Sequence, residues 1–199
     1  MTPAQTPSGS PNLSDSWMNS LKAEATGKYD DALKLTETWQ KAGGNRYLAQ
    51  LRTGWLFLLK KDYPKAAAAY EEAAKLNSSA LTPLYGLLSV AQAQDSAEKV
   101  RSASEQILRI EPTNLKALMA LAYSSYLATD YRRAQSYYRK ALAIYPENTE
   151  ALSGAAWSAY YLGDKALAFN SFQFLISINP NYPYAKRGME LCQVNSPGH

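Results

Sequence analysis

The chain has one cysteine and one histidine in 199 residues, and the histidine, His199, is the last of them. A lone Cys192 excludes an intramolecular disulfide framework and any cysteine-based metal site. With histidine only at the end of the chain, no Ser-His-Asp or Cys-His arrangement is available. A metal would have to be held by carboxylates alone, and Asp30-Asp31 and Glu71-Glu72 read as solvated helix faces. There is no glycine-rich phosphate loop either, since Gly43-Gly44 stands where a helix end needs a cap. These absences predict no enzyme, no cofactor and no metal.

Long apolar runs are also missing. Trp55-Leu56-Phe57-Leu58-Leu59 is the longest near the middle, far too short to cross a bilayer, so membrane insertion is not expected. No signal peptide is present, although one could have been removed; the compartment stays open between cytoplasm and an exported or periplasmic location. The net charge of +4 is mild and is spread between +3 over 115–148 and −1 over 81–114 and 149–182. That leaves no single basic stripe of the kind nucleic acid needs. Arg132, Arg133, Arg139 and Lys140 form the densest cluster and read as a solvated outward helix face, with an acidic or phosphate partner as the alternative.

What the chain does have is a period. Pro112, Pro146 and Pro180 are equally spaced, and the same step links Ala32, Ala66, Val100, Ala134 and Ala168. Four places after each of these comes Thr36, Tyr70, Ser104, Tyr138 or Phe172. Cut at the same interval, the chain gives five blocks, 13–46, 47–80, 81–114, 115–148 and 149–182, that align without a gap. Each reads as two short amphipathic helices and a turn. In the fourth block, Leu118, Leu121, Ala122 and Ser125 line the inner stripe of the first helix. Ala134, Tyr138, Ala141, Leu142 and Ile144 line that of the second. Thr129-Asp130 makes the turn, with Asp130 placed to cap the second helix, and Pro146 ends it. The equivalent turns are Gly27-Lys28, Lys61-Asp62 and Gly163-Asp164. Segment 1–12, rich in Pro, Ser and Thr, is expected to be disordered, 183–194 to form a capping helix and 195–199 a tail. In the cap, Tyr184, Gly188, Met189 and Cys192 make an apolar stripe, with Lys186, Arg187 and Glu190 opposite.

Leu118, Leu121-Ala122, Asp130-Tyr131, Ala134, Tyr138, Ala141 and Pro146 resemble the pattern of the tetratricopeptide repeat family. Gly54, Asp62-Tyr63, Ala66, Tyr70 and Ala73 carry it in the second block, where Ser78 replaces the proline. The resemblance covers 13–182. It implies an all-α fold, a right-handed superhelical solenoid of antiparallel helix pairs closed by the C-terminal cap. The first block departs from the pattern at Asn19-Ser20 and Trp39. The third lacks the aromatic, with Val100 and Ser104, and is expected to be the softest. Phe174 replaces the Glu72, Gln106 and Lys140 of other blocks, either to contact the cap or to form a docking patch beside Phe169.

In this family the first helix of each pair lines a concave groove. The resemblance therefore places Leu21, Trp55, Ser89, Tyr123 and Trp157 in it, with Glu24, Leu58, Gln92, Tyr126 and Tyr160, and with Trp17, Leu51, Tyr85, Met119 and Ser153. Core packing does not explain aromatics at such places, and Trp and Tyr dominate binding hot spots. The expected site is Trp55, Leu58, Tyr85, Met119, Tyr123, Tyr126, Trp157 and Tyr160. The expected partner is a protein or peptide more apolar than acidic, and a monomer is favoured. Family members that hold chaperone C-termini use a two-carboxylate clamp of Lys and Asn. Here only Lys116 and Arg52 supply charge nearby, which argues against that role. Two alternatives remain: an assembly subunit docking through its ends, with Phe169, Phe174 and the cap in the contact, or a regulatory piece of a longer polypeptide. At the scaffold level, Ala134→Leu is expected to overpack and cost about 1–3 kcal/mol in urea unfolding; an unchanged midpoint would remove Ala134 from the core.

Overall fold

The computed structural model describes residues 13–193. The segment 1–12, the tail 195–199 with His199, and the last residue of the expected cap lie outside them. Among the described residues there are eleven helices and no strand. They are α1 (Leu13–Ala25), α2 (Tyr29–Lys41), α3 (Arg46–Leu59), α4 (Tyr63–Leu76), α5 (Leu81–Ala93), α6 (Ala97–Ile110), α7 (Leu115–Leu127), α8 (Tyr131–Ile144), α9 (Thr149–Tyr161), α10 (Lys165–Ile178) and α11 (Ala185–Gln193). The chain divides into two compact units between Gln94 and Asp95. In the first, each of α1 to α4 packs on the helix that follows it, and α3 also touches α5. In the second, α6 to α10 do the same up to α11, and α9 meets both α7 and α11.

Helix starts are set by side chains that recur with the period. Asp62, Ser96, Asp130 and Asp164 each accept a hydrogen bond from the backbone N–H three residues on, at 3.0–3.4 Å. Asn45, Asn114 and Asn148 do the same for α3, α7 and α9, at 2.8–3.0 Å. Each satisfies one of the orphan donors of a first turn. Lys28 and Ala80 are exceptions, with no side-chain cap. The prolines reinforce helix ends rather than set them. α6, α8 and α10 stop two residues before Pro112, Pro146 and Pro180, yet α4 stops at the equivalent Leu76 with Ser78 in the proline's place.

The core repeats as well. Ala32, Ala66, Ala134 and Ala168 are fully buried, and Val100 almost so. The side chain one turn on enters the helix that follows, always at the matching place. A Cβ on Gly86 would lie 2.4 Å from the Tyr70 ring, one on Gly154 2.2 Å from Tyr138, and one on Gly188 2.5 Å from Phe172. Where the second helix offers only Thr36 or Ser104, the facing position holds Arg52 or Ala120 instead. Ser104 is fully buried and its hydroxyl has no hydrogen-bond partner, a local cost absent from the aromatic blocks.

Two expectations are corrected. Ile144 is 36 % exposed because it ends its helix; Leu76, Ile110 and Ile178 are exposed at the same place. Tyr184 is not part of the cap's buried stripe. It precedes α11 with φ of 61° and lies in solvent, and Ala185, Gly188 and Cys192 face inward. The cap packs on α10, and Phe174 on that helix is 47 % exposed, which leaves both readings of it open.

Each turn between paired helices passes through the left-handed region at one residue, the same place in every block: Gly27, Lys61, Asp95, Thr129 and Gly163. At Gly163 the N–H of the next residue, Asp164, reaches back to the Ala159 carbonyl, closing the helix end. Thr129 makes the same turn at φ of 59°, where a β-branched residue is strained. Thr129→Gly is therefore expected to raise stability by about 0.5–1 kcal/mol in urea unfolding, and Ala128→Gly, at ordinary φ, to lower it. A destabilising Thr129→Gly would show that the threonine is held there by something other than the turn.

Candidate functional site

The expected site residues divide between the two units. In the first unit, Trp55 is 44 % exposed and its indole Nε1 donates to Glu24 Oε1 at 2.6 Å. The second carboxylate oxygen accepts from Arg52 Nη1 at 2.8 Å, and Arg52 Nε donates to Ser20 Oγ at 2.7 Å. Ser20 and Thr36 share a hydrogen bond at 2.9 Å, and both reach the Ala32 carbonyl. The guanidinium carbon lies 5.4 Å from the centre of the Trp17 ring, which in turn meets Trp39 at 4.5 Å. Thr36 in place of an aromatic makes room for the long Arg52 side chain. Arg52 is thus not a free charge near a groove: it is only 8 % exposed and bound to Glu24, and its Nη2 has no partner. Leu58 is half-buried against the Ala66–Tyr70–Val90 cluster, and Tyr85 is half-buried.

In the second unit, Tyr123 is the most open of the expected residues at 59 %. Met119 and Tyr126 pack on the Ala134–Tyr138–Ala151 cluster. Trp157 sits 5.0 Å from the buried Phe172 ring and 5.8 Å from Tyr160, both edge-on. Two aromatics outside the expected set pack beside them. Tyr161, half exposed, stacks on Tyr131 at 4.6 Å and 16°, and Tyr126 meets both rings edge-on. Burial, together with the Tyr161 hydroxyl beside it, pushes the Tyr126 phenol well above its ordinary pKa. Burial alone lifts Tyr70, and does most to lift Tyr138, to about 12. All three stay neutral at physiological pH. The signal for Tyr161 was the Tyr160-Tyr161 doublet. Tyr131 reads from sequence as part of the Asp-Tyr turn and gives no hint of its stacking partner.

Among the described residues no group of three or more His, Cys, Asp or Glu is placed to hold a metal. Burial raises the Cys192 thiol, the opposite of what a nucleophile needs. None of the described helices is long and apolar enough to cross a membrane.

Paired helices repeating at one fixed interval, with exposed aromatics left on their first helices, define a helical-repeat protein of the kind that presents surfaces to other polypeptides. The sequence model described as Tetratricopeptide repeat matches residues 20–80 and 119–183, and the chain belongs to that family. A search of curated proteins gives no match. Among solved structures, a tetratricopeptide repeat protein from Parabacteroides merdae is 18 % identical, with a TM-score of 0.75 over 90 % of this chain and 72 % of its own. A MamA protein gives 17 %, 0.72, 87 % and 94 %. YrrB, described as having an unusual peptide-binding site, gives 13 %, 0.70, 90 % and 92 %. At these identities the likeness concerns the fold.

The Glu24 bridge makes an asymmetric prediction. Glu24→Ala strands the buried Arg52 charge and is expected to cost about 1–3 kcal/mol, scaled down because Glu24 is partly exposed. Arg52→Met removes the charge and keeps the bulk, and is expected to cost less. Urea unfolding of both variants checks the order, and the reverse order would contradict it.

Proposed function

We propose that this chain is a non-catalytic scaffold that holds a protein or peptide segment against the aromatic faces of its first helices. Tetratricopeptide repeat proteins serve in general as protein-interaction modules. The observation that carries the finer reading is the half-open aromatic surface that each unit presents on its own first helices. Trp55 is tied by its indole to Glu24, Tyr161 is held against Tyr126, Tyr131, Trp157 and Tyr160, and Tyr123 stands open on α7. Aromatics that are both ordered and exposed lose little entropy on binding, which makes them effective anchors.

Met119, Tyr126, Trp157 and Tyr160 also belong to the packing of their unit, so they shape and support this surface. Leu58 on α3 belongs to the packing of the first unit in the same way. The ligand is an extended or helical segment richer in apolar than acidic side chains. A carboxylate clamp does not fit: Arg52 is already bound to Glu24, and aromatics or Leu51 fill most of the remaining places. YrrB, which shares the fold, is described as binding peptide at an unusual site, in keeping with a groove chemistry other than the clamp.

Peptides selected by display against the full chain test this reading. Those recovered are expected to be apolar and aromatic, and Trp55→Ala or Tyr123→Ala to weaken them by about 2 kcal/mol, roughly thirtyfold, with helix content unchanged by circular dichroism. Trp157 is a poorer probe because it also packs on Phe172. Selection of acidic C-terminal peptides, or affinity indifferent to both variants, would overturn it.

A further inference from the structure

The second helix of the fifth block departs from a pattern kept by the three before it. The outward place held by Lys65, Lys99 and Arg133 is taken by Leu167, and that of Glu72, Gln106 and Lys140 by Phe174. Leu167, Phe174 and Ile178 are 41 %, 47 % and 37 % exposed. With Ser171 they recur at i, i+4, i+7 and i+11, one straight seam along α10. The hydroxyls on this side are already satisfied: Ser171 Oγ donates to the Leu167 carbonyl at 2.8 Å and Ser177 Oγ to that of Phe174 at 2.7 Å. Covering the seam strands neither donor. Beyond Lys165, α10 carries no charge at all.

Charge says what covers it. One repeat earlier on the same outer layer, α8 carries Arg132, Arg133, Arg139 and Lys140 and no acidic residue. Arg133 and Lys140 lie over the Tyr137 ring, and Arg133 reaches Glu105 at 3.8 Å. Arg132 and Arg139 make no ion pair among the described residues. Both helices pack on α9 within the second unit. Leu167 and Arg139 hold the places that Arg133 and Glu105 bridge one block earlier, so the period sets the apolar seam beside the basic strip.

We propose that this outer face docks an acidic amphipathic helix of a partner protein, with its apolar side on Leu167, Phe174 and Ile178 and its carboxylates toward Arg132 and Arg139. A second copy of the chain fits less well: laying one α10 seam antiparallel on another sets the two basic α8 faces against each other. The surface lies on second helices, apart from the aromatics of the first helices, and does not rest on that reading.

The probe is a synthetic helix of about 18 residues with Leu at the seam spacing and Glu on both flanks, titrated into the full chain by fluorescence anisotropy. Saturable one-to-one binding at roughly micromolar concentrations is expected. Phe174→Glu and Arg139→Glu should each weaken it by at least about tenfold. Raising salt from about 50 to about 300 mM should weaken wild type more than Arg139→Glu. Trp55→Ala and Tyr123→Ala are expected to leave it unchanged. Leu167→Lys, which restores the residue of the second and third blocks, serves if circular dichroism finds Phe174→Glu unfolded. Four results overturn the proposal: no saturation below about 1 mM, equal binding by the seam variants, tighter binding to phosphatidylglycerol vesicles than to the peptide, or a concentration-dependent dimer in sedimentation that Phe174→Glu abolishes.

Discussion

Everything in this chain depends on how much room one helix leaves for a side chain of the helix before it. Tyr70, Tyr138 and Phe172 reach so far across the gap between helices that only a residue without a Cβ is accommodated opposite. Gly86, Gly154 and Gly188 stand there, each at the matching place in the helix that follows. The small alanines one turn earlier in each second helix let the backbones close around the ring. Caps and left-handed turns then return the chain to the same relative position at each step, so one local rule is copied along each unit.

The exceptions to that rule are where chemistry appears. Thr36 is too short to fill the gap, and Arg52 enters it from the other side. Its charge is met by Glu24, and the spare carboxylate oxygen holds the Trp55 indole. A packing substitution in the core thus ends as a fixed aromatic at the surface. The opposite happens on α10, where the core is complete and the outward places lose their charges. The surplus apolar side chains there have no structural task in their own helix.

The blocks, the helix pairs and the turn positions were legible because spacing along the chain reports them directly. Trp55 and Tyr123 were also legible as exposed aromatics, since their places in the block left them no core to enter. The role of Arg52 was not. It depends on Ser20 and Glu24, 32 and 28 residues away, and on what Thr36 fails to fill. Tyr131 and Tyr161 were missed for the same reason: they stack across two blocks from places that do not correspond, so the period never aligns them. Ile144 and Tyr184 were assigned inward by periodicity, but both sit at helix ends, where the helical period no longer governs the direction of a side chain.

By itself, then, the sequence determined the repeat, its family and which places are scaffold, because those follow from residue type at fixed intervals and local backbone preference. Only the tertiary structure decided which of the remaining aromatics are open, which are braces, and which charges are already spent. Those outcomes depend on contacts between residues in different blocks, where the volume and hydrogen-bonding capacity of one side chain are set by another that no periodic pattern links to it.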